Sequence, residues 1–197
     1  MTTEPLRVAV IQGSTRDGRL GPVVARWIRE HADARPDMTT DLVDLAETPL
    51  PTVFPQLGQD PARAEDRELL AAVSPRLADA DAFVVVTPEY NHSFPASLKN
   101  AIDWHNREWH AKPVGFVAYG GFSAGLRAVE QLRGVFAELH AVTIREAVGL
   151  QGVWGRFDPE GRAVDPAADT AAKAMLGQLA WWAEALRAAR ATSPYGA

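Results

Sequence analysis

Short apolar runs alternate with longer stretches of helical period along this 197-residue chain, and that alternation restricts the fold more than any other feature. Apolar runs of five to seven residues suit strands buried on both faces. The intervening segments are long enough to be crossover helices of a parallel sheet. The pattern predicts strands over 6–11, 40–45, 82–86, 114–118 and 142–148. A helix opens at Pro22, whose missing N–H costs nothing in a first turn, and Val23, Val24, Trp27 and Ile28 face the sheet. The next starts at Asp60-Pro61 and runs toward Ala80, with a kink or break expected at Pro75. A third spans 95–104 with Leu98, Ala101 and Ile102 on one face. Ser123 caps a fourth, whose stripe is Leu126, Val129, Leu132, Val135 and Leu139. Asp158 to Gly161 forms the turn of a small hairpin. Asp165-Pro166 begins the last helix, with Met175, Leu176, Leu179 and Trp182 inward. The expectation is a single doubly wound α/β domain over 1–197, with five parallel strands and helices on both faces. Such sheets bind ligands beyond the carboxyl ends of their strands, where strand order reverses.

Composition removes several kinds of chemistry. The chain has no cysteine, so disulfides, zinc thiolates, iron–sulfur clusters and dithiol redox work are all absent. A net charge of −5 argues against nucleic acid as a partner, since phosphate backbones are held by clustered cations. The first residues carry no basic-then-apolar leader pattern, and no run of about 18 apolar residues offers a membrane span, so the cytoplasm is the expected compartment.

Three loops follow the strands that matter. The first, over 13–21, reads Gly-Ser-Thr-Arg-Asp-Gly-Arg-Leu-Gly. It gathers hydroxyls, two guanidinium groups and glycines at a helix N-terminus, the parts of an anion cradle, although a solvated turn has the same composition. It matches neither the P-loop nor the dinucleotide G-x-G-x-x-G fingerprint. The second, over 87–95, sets Glu89, Tyr90 and Asn91 between two prolines, and supplies the flat contact and polar edge that a flavin needs. As a plain rigid turn it would use Tyr90 to fill surface. The third, over 119–123, has adjacent Gly120 and Gly121, which permit close backbone approach or an ordinary turn. A phosphorylatable receiver domain would place acids where Gln12 and Thr87 stand.

With Gly-Ser-Thr-Arg at 13–16, Thr-Pro-Glu-Tyr-Asn at 87–91, Ser-Leu-Lys-Asn-Ala-Ile-Asp-Trp at 97–104 and Tyr-Gly-Gly at 119–121, the chain resembles the NADPH-dependent FMN reductase family. That family includes quinone, azo-dye and chromate reductases. The resemblance implies a flavodoxin-like sheet of order 2-1-3-4-5 and FMN as cofactor, with NADPH or NADH as electron donor. Carried onto this chain, it implies that Ser14 and Arg16 bind the FMN phosphate, with Arg19, Leu20 and Gly21 beside them. Pro88, Glu89, Tyr90 and Asn91 would run along the ring system, Asn91 nearest its polar edge, and Tyr119, Gly120 and Gly121 would close its other side. Many relatives carry Ser and then a polar residue where this chain has Arg19 and Leu20. The implied activity is ping-pong hydride transfer through FMN to a small acceptor: a quinone, an azo or nitro compound, a metal oxyanion or free flavin. No side chain is nominated as catalytic and none as a metal ligand. A homodimer or homotetramer is implied, with Trp104, Trp109 and Phe116 as core filling or as a subunit interface.

Two rivals remain at this level. A flavodoxin-type electron carrier would not oxidise NAD(P)H by itself, and a relative without flavin would stay colourless with FMN added. Asp44, ending the second strand, reads as a solvated or capping acid. Lys99 and Asp103 read as a surface pair, and His105 and His110 as surface packing around Trp109.

Overall fold

The computed structural model describes residues 4–56, 59–61 and 63–196. Within them run β1 (Leu6–Gln12), α1 (Gly21–Asp33), β2 (Met38–Asp44), α2 (Ala64–Asp79), β3 (Ala82–Pro88), α3 (Ala96–Asp103), β4 (Pro113–Gly120), α4 (Leu126–Glu138), β5 (Val142–Gln151) and α5 (Pro166–Thr192). The strands pair in parallel in the order β2-β1-β3-β4-β5, as the flavodoxin-like expectation has it. No helix among the described residues is long and apolar enough to cross a membrane.

Side-chain alternation along the strands divides the core into two layers. Val8, Val10, Val84, Val86 and Val117 meet Val24, Trp27 and Ile28 of α1 and Leu176 and Leu179 of α5. Ala9, Ile11, Phe83, Val85 and Phe116 meet Leu77 of α2, Leu98 and Ile102 of α3 and Leu132 and Phe136 of α4. The central strands β3 and β4 are buried along their whole length, which explains their unbroken apolar runs. Trp109 and Phe116 belong to this core, whereas Trp104 is half-buried, stacked on Phe54 and bonded through Nε1 to the Pro51 carbonyl.

Several local expectations change. Pro75 lies inside α2, yet the helix runs unbroken from Ala64 to Asp79. Pro75 and Ala71 are both exposed, so the carbonyl that loses its donor can turn to water. The helix also begins after Arg63 rather than at Asp60-Pro61. Ser123 does not cap α4: Gly125, at φ 85°, holds the cap position, and the buried face is Ala128, Val129, Leu132 and Phe136, with Leu126 exposed. Val23 is only half-buried, Ala25 taking its place toward the sheet. His105 is buried rather than superficial, bonded to the Ala101 carbonyl and to Ser74, and burial lowers its pKa. Asp165 caps α5 through the Ala167 N–H, the 158–161 turn closes a small hairpin, and Lys99 pairs with Asp103, all as the sequence implies.

Candidate active site

The chain leaves β1 to form edge strand β2 and then crosses back to β3, so strand order reverses between β1 and β3. A crevice of about 390 Å³ opens at the carboxyl end of the sheet beside this reversal. That volume lies within the range of about 300–1,000 Å³ typical of small-molecule sites. Ser14, Arg16, Arg19, Leu20, Pro88, Glu89, Tyr90, Tyr119, Gly120 and Gly121 all line it. Residues from the three separate loops therefore share one cavity.

The first loop is fastened at its base and open at its tip. Gly13 donates its N–H to the Val86 carbonyl, Gln12 Nε2 donates to the Ser14 carbonyl, and the buried Ser14 Oγ shares a 2.7 Å hydrogen bond with Tyr90 Oη. Beyond that anchor, the N–H groups of residues 15–18 donate to nothing among the described residues, and α1 begins without a side-chain cap. Successive unpaired backbone donors in a loop that leads into a helix make an anion site. Arg16 is exposed beside them and forms no ion pair among the described residues.

Arg19 is placed differently. Its Nη2 lies 2.8 Å from Asp44 Oδ2, with the two side chains only 21% and 9% exposed. Asp44 Oδ1 also accepts from the Ala46 N–H, so the acid that read as solvated or capping is a buried turn-former and a counter-charge. The Arg19 Nε is buried without a partner among the described residues. Gly21 does not line the crevice. A Cβ there would come within 2.2 Å of Gln12 Nε2 and 3.1 Å of Tyr119 Oη, so this glycine lets α1 close on the floor.

The second and third loops are joined backbone to backbone. Glu89 donates its N–H to the Tyr119 carbonyl, and its carboxylate accepts from Ser123 Oγ, the Arg127 N–H and, at 3.4 Å, Arg127 Nη1. Tyr90 and Ser93 exchange both backbone hydrogen bonds across Asn91 and His92, which have positive φ of 49° and 74°. This is a tight two-residue turn, and asparagine tolerates the left-handed region well. Asn91 is exposed at its tip, outside the residues that line the crevice. Burial holds the Tyr119 hydroxyl well above the ordinary phenol range, and neighbouring Tyr90 adds to the effect, so Tyr119 stays protonated.

Val153 and Trp154 complete the wall, from a short 3-10 turn after β5 (Val153–Gly155). Sequence reading missed both, together with the Arg19–Asp44 pair, while Asp17 and Gly18 line the crevice from within the 13–21 loop. The only signal for Trp154 is a large aromatic between Gly152 and Gly155, six residues beyond the strand expected over 142–148.

These residues fit FMN on structural grounds: free N–H donors and an exposed guanidinium for a phosphate, a buried unpaired Arg19 Nε, and open space over Gly121, where an added Cβ meets nothing within 4 Å. Comparisons with known proteins point the same way. The sequence profile of the NADPH-dependent FMN reductase family matches residues 6–155. An NAD(P)H-dependent FMN reductase of Schizosaccharomyces pombe is 38% identical over 123 residues, covering 60% of each chain. A probable NADPH:quinone oxidoreductase of Oryza sativa subsp. japonica is 32% identical over 98% of this chain and 96% of its own. In structure, the flavoenzyme FerB, an NAD(P)H:(acceptor) oxidoreductase from Paracoccus denitrificans, superposes with a TM-score of 0.74 at 24% identity, over 91% of this chain and 98% of its own, a likeness of fold. With its sheet order, its crevice and a profile match that runs from β1 to the turn bearing Trp154, this chain belongs to the NADPH-dependent FMN reductase family of oxidoreductases.

Proposed function

We propose that the chain is a cytoplasmic NAD(P)H:acceptor oxidoreductase, a single FMN-binding domain whose electron acceptor is a small molecule such as a quinone. The observation that carries this reading is the joining, in one crevice, of a phosphate-type donor cluster at 14–19 with the strip formed by Pro88–Tyr90 and Tyr119–Gly121. Bound there, FMN would supply a two-electron centre between the donor and the acceptor, so that NAD(P)H, a proton and a quinone give NAD(P)⁺ and a hydroquinone.

The chain's own residues bind and orient. Arg16 and the N–H groups of 15–18 neutralise the phosphate. The Ser14–Tyr90 hydrogen bond ties that cradle to the ring strip. Burial favours the neutral form of the Tyr119 hydroxyl, so this ring adds no charge to the crevice. Glu89 lies close to the strip, and its carboxylate, engaged by Ser123 and Arg127, ties the second loop to the third. The chemistry then needs no side-chain acid or base for hydride movement.

Arg16→Ala is expected to weaken FMN binding by about 1.5–3 kcal/mol, the worth of one hydrogen bond to a charged group. That is roughly 10- to 100-fold in Kd. Fluorescence titration of the apoprotein measures it, and unchanged affinity would remove Arg16 from the site. Donor and acceptor would also use the same open side of the crevice in turn. Initial-rate plots at several fixed acceptor concentrations should therefore give parallel lines, and intersecting lines would contradict a shared face. Assembly as a homodimer or homotetramer is part of the proposal, supported by exposed Val53 and by Phe54 stacked on Trp104.

A further inference from the structure

Trp154 is 76% exposed, yet it lines the crevice from a turn that is held firmly. Val153 beside it is buried in the core with Tyr119 and Leu150. The Gly152 N–H donates to the Gly120 carbonyl at 2.8 Å, Gln151 Nε2 donates to the Phe122 carbonyl, and Gly152 itself has φ 60°. On the far side, Arg156 closes the turn through Nε to the Gln151 carbonyl and through Nη1 to Asp165. The Trp154 backbone is therefore fixed to the glycine loop, and ordering its ring against a ligand costs only two side-chain torsions. Leaving a ring of this size in water at the mouth of a site wastes apolar area unless something planar covers it.

We propose that Trp154 is a specificity-determining residue: its indole is the wall against which an uncharged planar acceptor of the quinone class stacks. This rests on the reductase reading above and adds the acceptor's chemistry to it. The acceptor is favoured over the nicotinamide donor because, among the described lining residues, Arg16 is assigned to the FMN phosphate and Arg19 is paired with Asp44, which leaves no further cation for a dinucleotide's phosphates. Arg156 bonds through Nε to Gln151 and through Nη1 to Asp165, while Val153 and Gly121 of the crevice lining carry no charge. A ring with carbonyl edges and no phosphate matches this wall.

The test uses the FMN-loaded protein with duroquinone as probe, by isothermal calorimetry without donor, so that binding is read apart from turnover. Trp154→Ala should raise the duroquinone Kd roughly tenfold, the worth of one aromatic stacking contact. Trp154→Phe should recover it to within about threefold, since a smaller ring still stacks. In steady state, the ratio of kcat/KM for duroquinone to that for ferricyanide, which has no planar ring to stack, should fall in parallel in Trp154→Ala. Equal duroquinone affinity in wild type and Trp154→Ala, or a rise in the NADPH KM with the duroquinone KM unmoved, would overturn the assignment. A wild type that binds duroquinone through Trp154 but reduces it with neither NADPH nor NADH would leave the wall standing and overturn the reductase reading instead.

Discussion

Gly125→Ala is expected to lower the free energy of unfolding by about 3 kcal/mol or more, as urea denaturation reads it, and to weaken FMN binding in the same protein. Gly125 sits at φ 85°, where a side chain adds strain of about 1–3 kcal/mol. A Cβ there would lie 2.7 Å from both Ala118 Cβ and the Tyr119 backbone N. Neither neighbour is the end of a flexible side chain, so β4 itself must shift, at a further cost of about 1–3 kcal/mol. The shift falls at Tyr119 and Gly120, where β4 becomes the crevice wall. For that reason stability and cofactor affinity should fall together. A loss below about 1 kcal/mol would mean that α4 does not approach β4 as closely as described.

The second large effect is at Asp44. Asp44→Ala removes the partner of Arg19 Nη2 and the acceptor of the Ala46 N–H, in a place where Arg19 Nε is already unpaired. Breaking a buried ion pair from one side costs about 3–5 kcal/mol, because the remaining charge stays out of water. Arg19 keeps 21% of its side chain exposed, so about 2–4 kcal/mol is expected here. Asp44→Asn, which keeps an acceptor for Ala46 and removes only the charge, should lose less. Urea midpoints of the two variants test the order: equal losses would mean that the charge alone holds this corner, and no loss in Asp44→Asn would mean that the turn bond does.

The architecture was largely legible in the residues, because apolar runs such as 82–86 have one use in a chain of this pattern. The three loops were legible for the same reason: strand ends fix them, and ten of the twelve residues assigned to the cofactor line one crevice. What was not legible depends on contacts distant in sequence. Arg19 and Asp44 are 25 residues apart and meet only because β2 pairs with β1. Ser123 has the composition of a helix cap, but the carboxylate of Glu89 from the neighbouring strand end takes its hydroxyl. Gly21 looks like a ligand-facing glycine, yet the close approach it permits is to Gln12 and Tyr119. Asn91 looks like a recognition amide, and its positive φ gives it a second reason to be there. Trp154 was passed over because a turn residue's exposure cannot be read without knowing which strand end it follows.

The crevice between loops 13–21, 87–91 and 119–121 must hold a working flavin for the proposed activity. The direct measurement is the visible spectrum of the purified protein after incubation with FMN and removal of excess, followed by anaerobic addition of NADPH or NADH. A stoichiometric yellow band that bleaches on adding the donor and returns on adding a quinone is the predicted result. A protein that emerges colourless, or one whose bound flavin keeps its full colour with both donors, would contradict it.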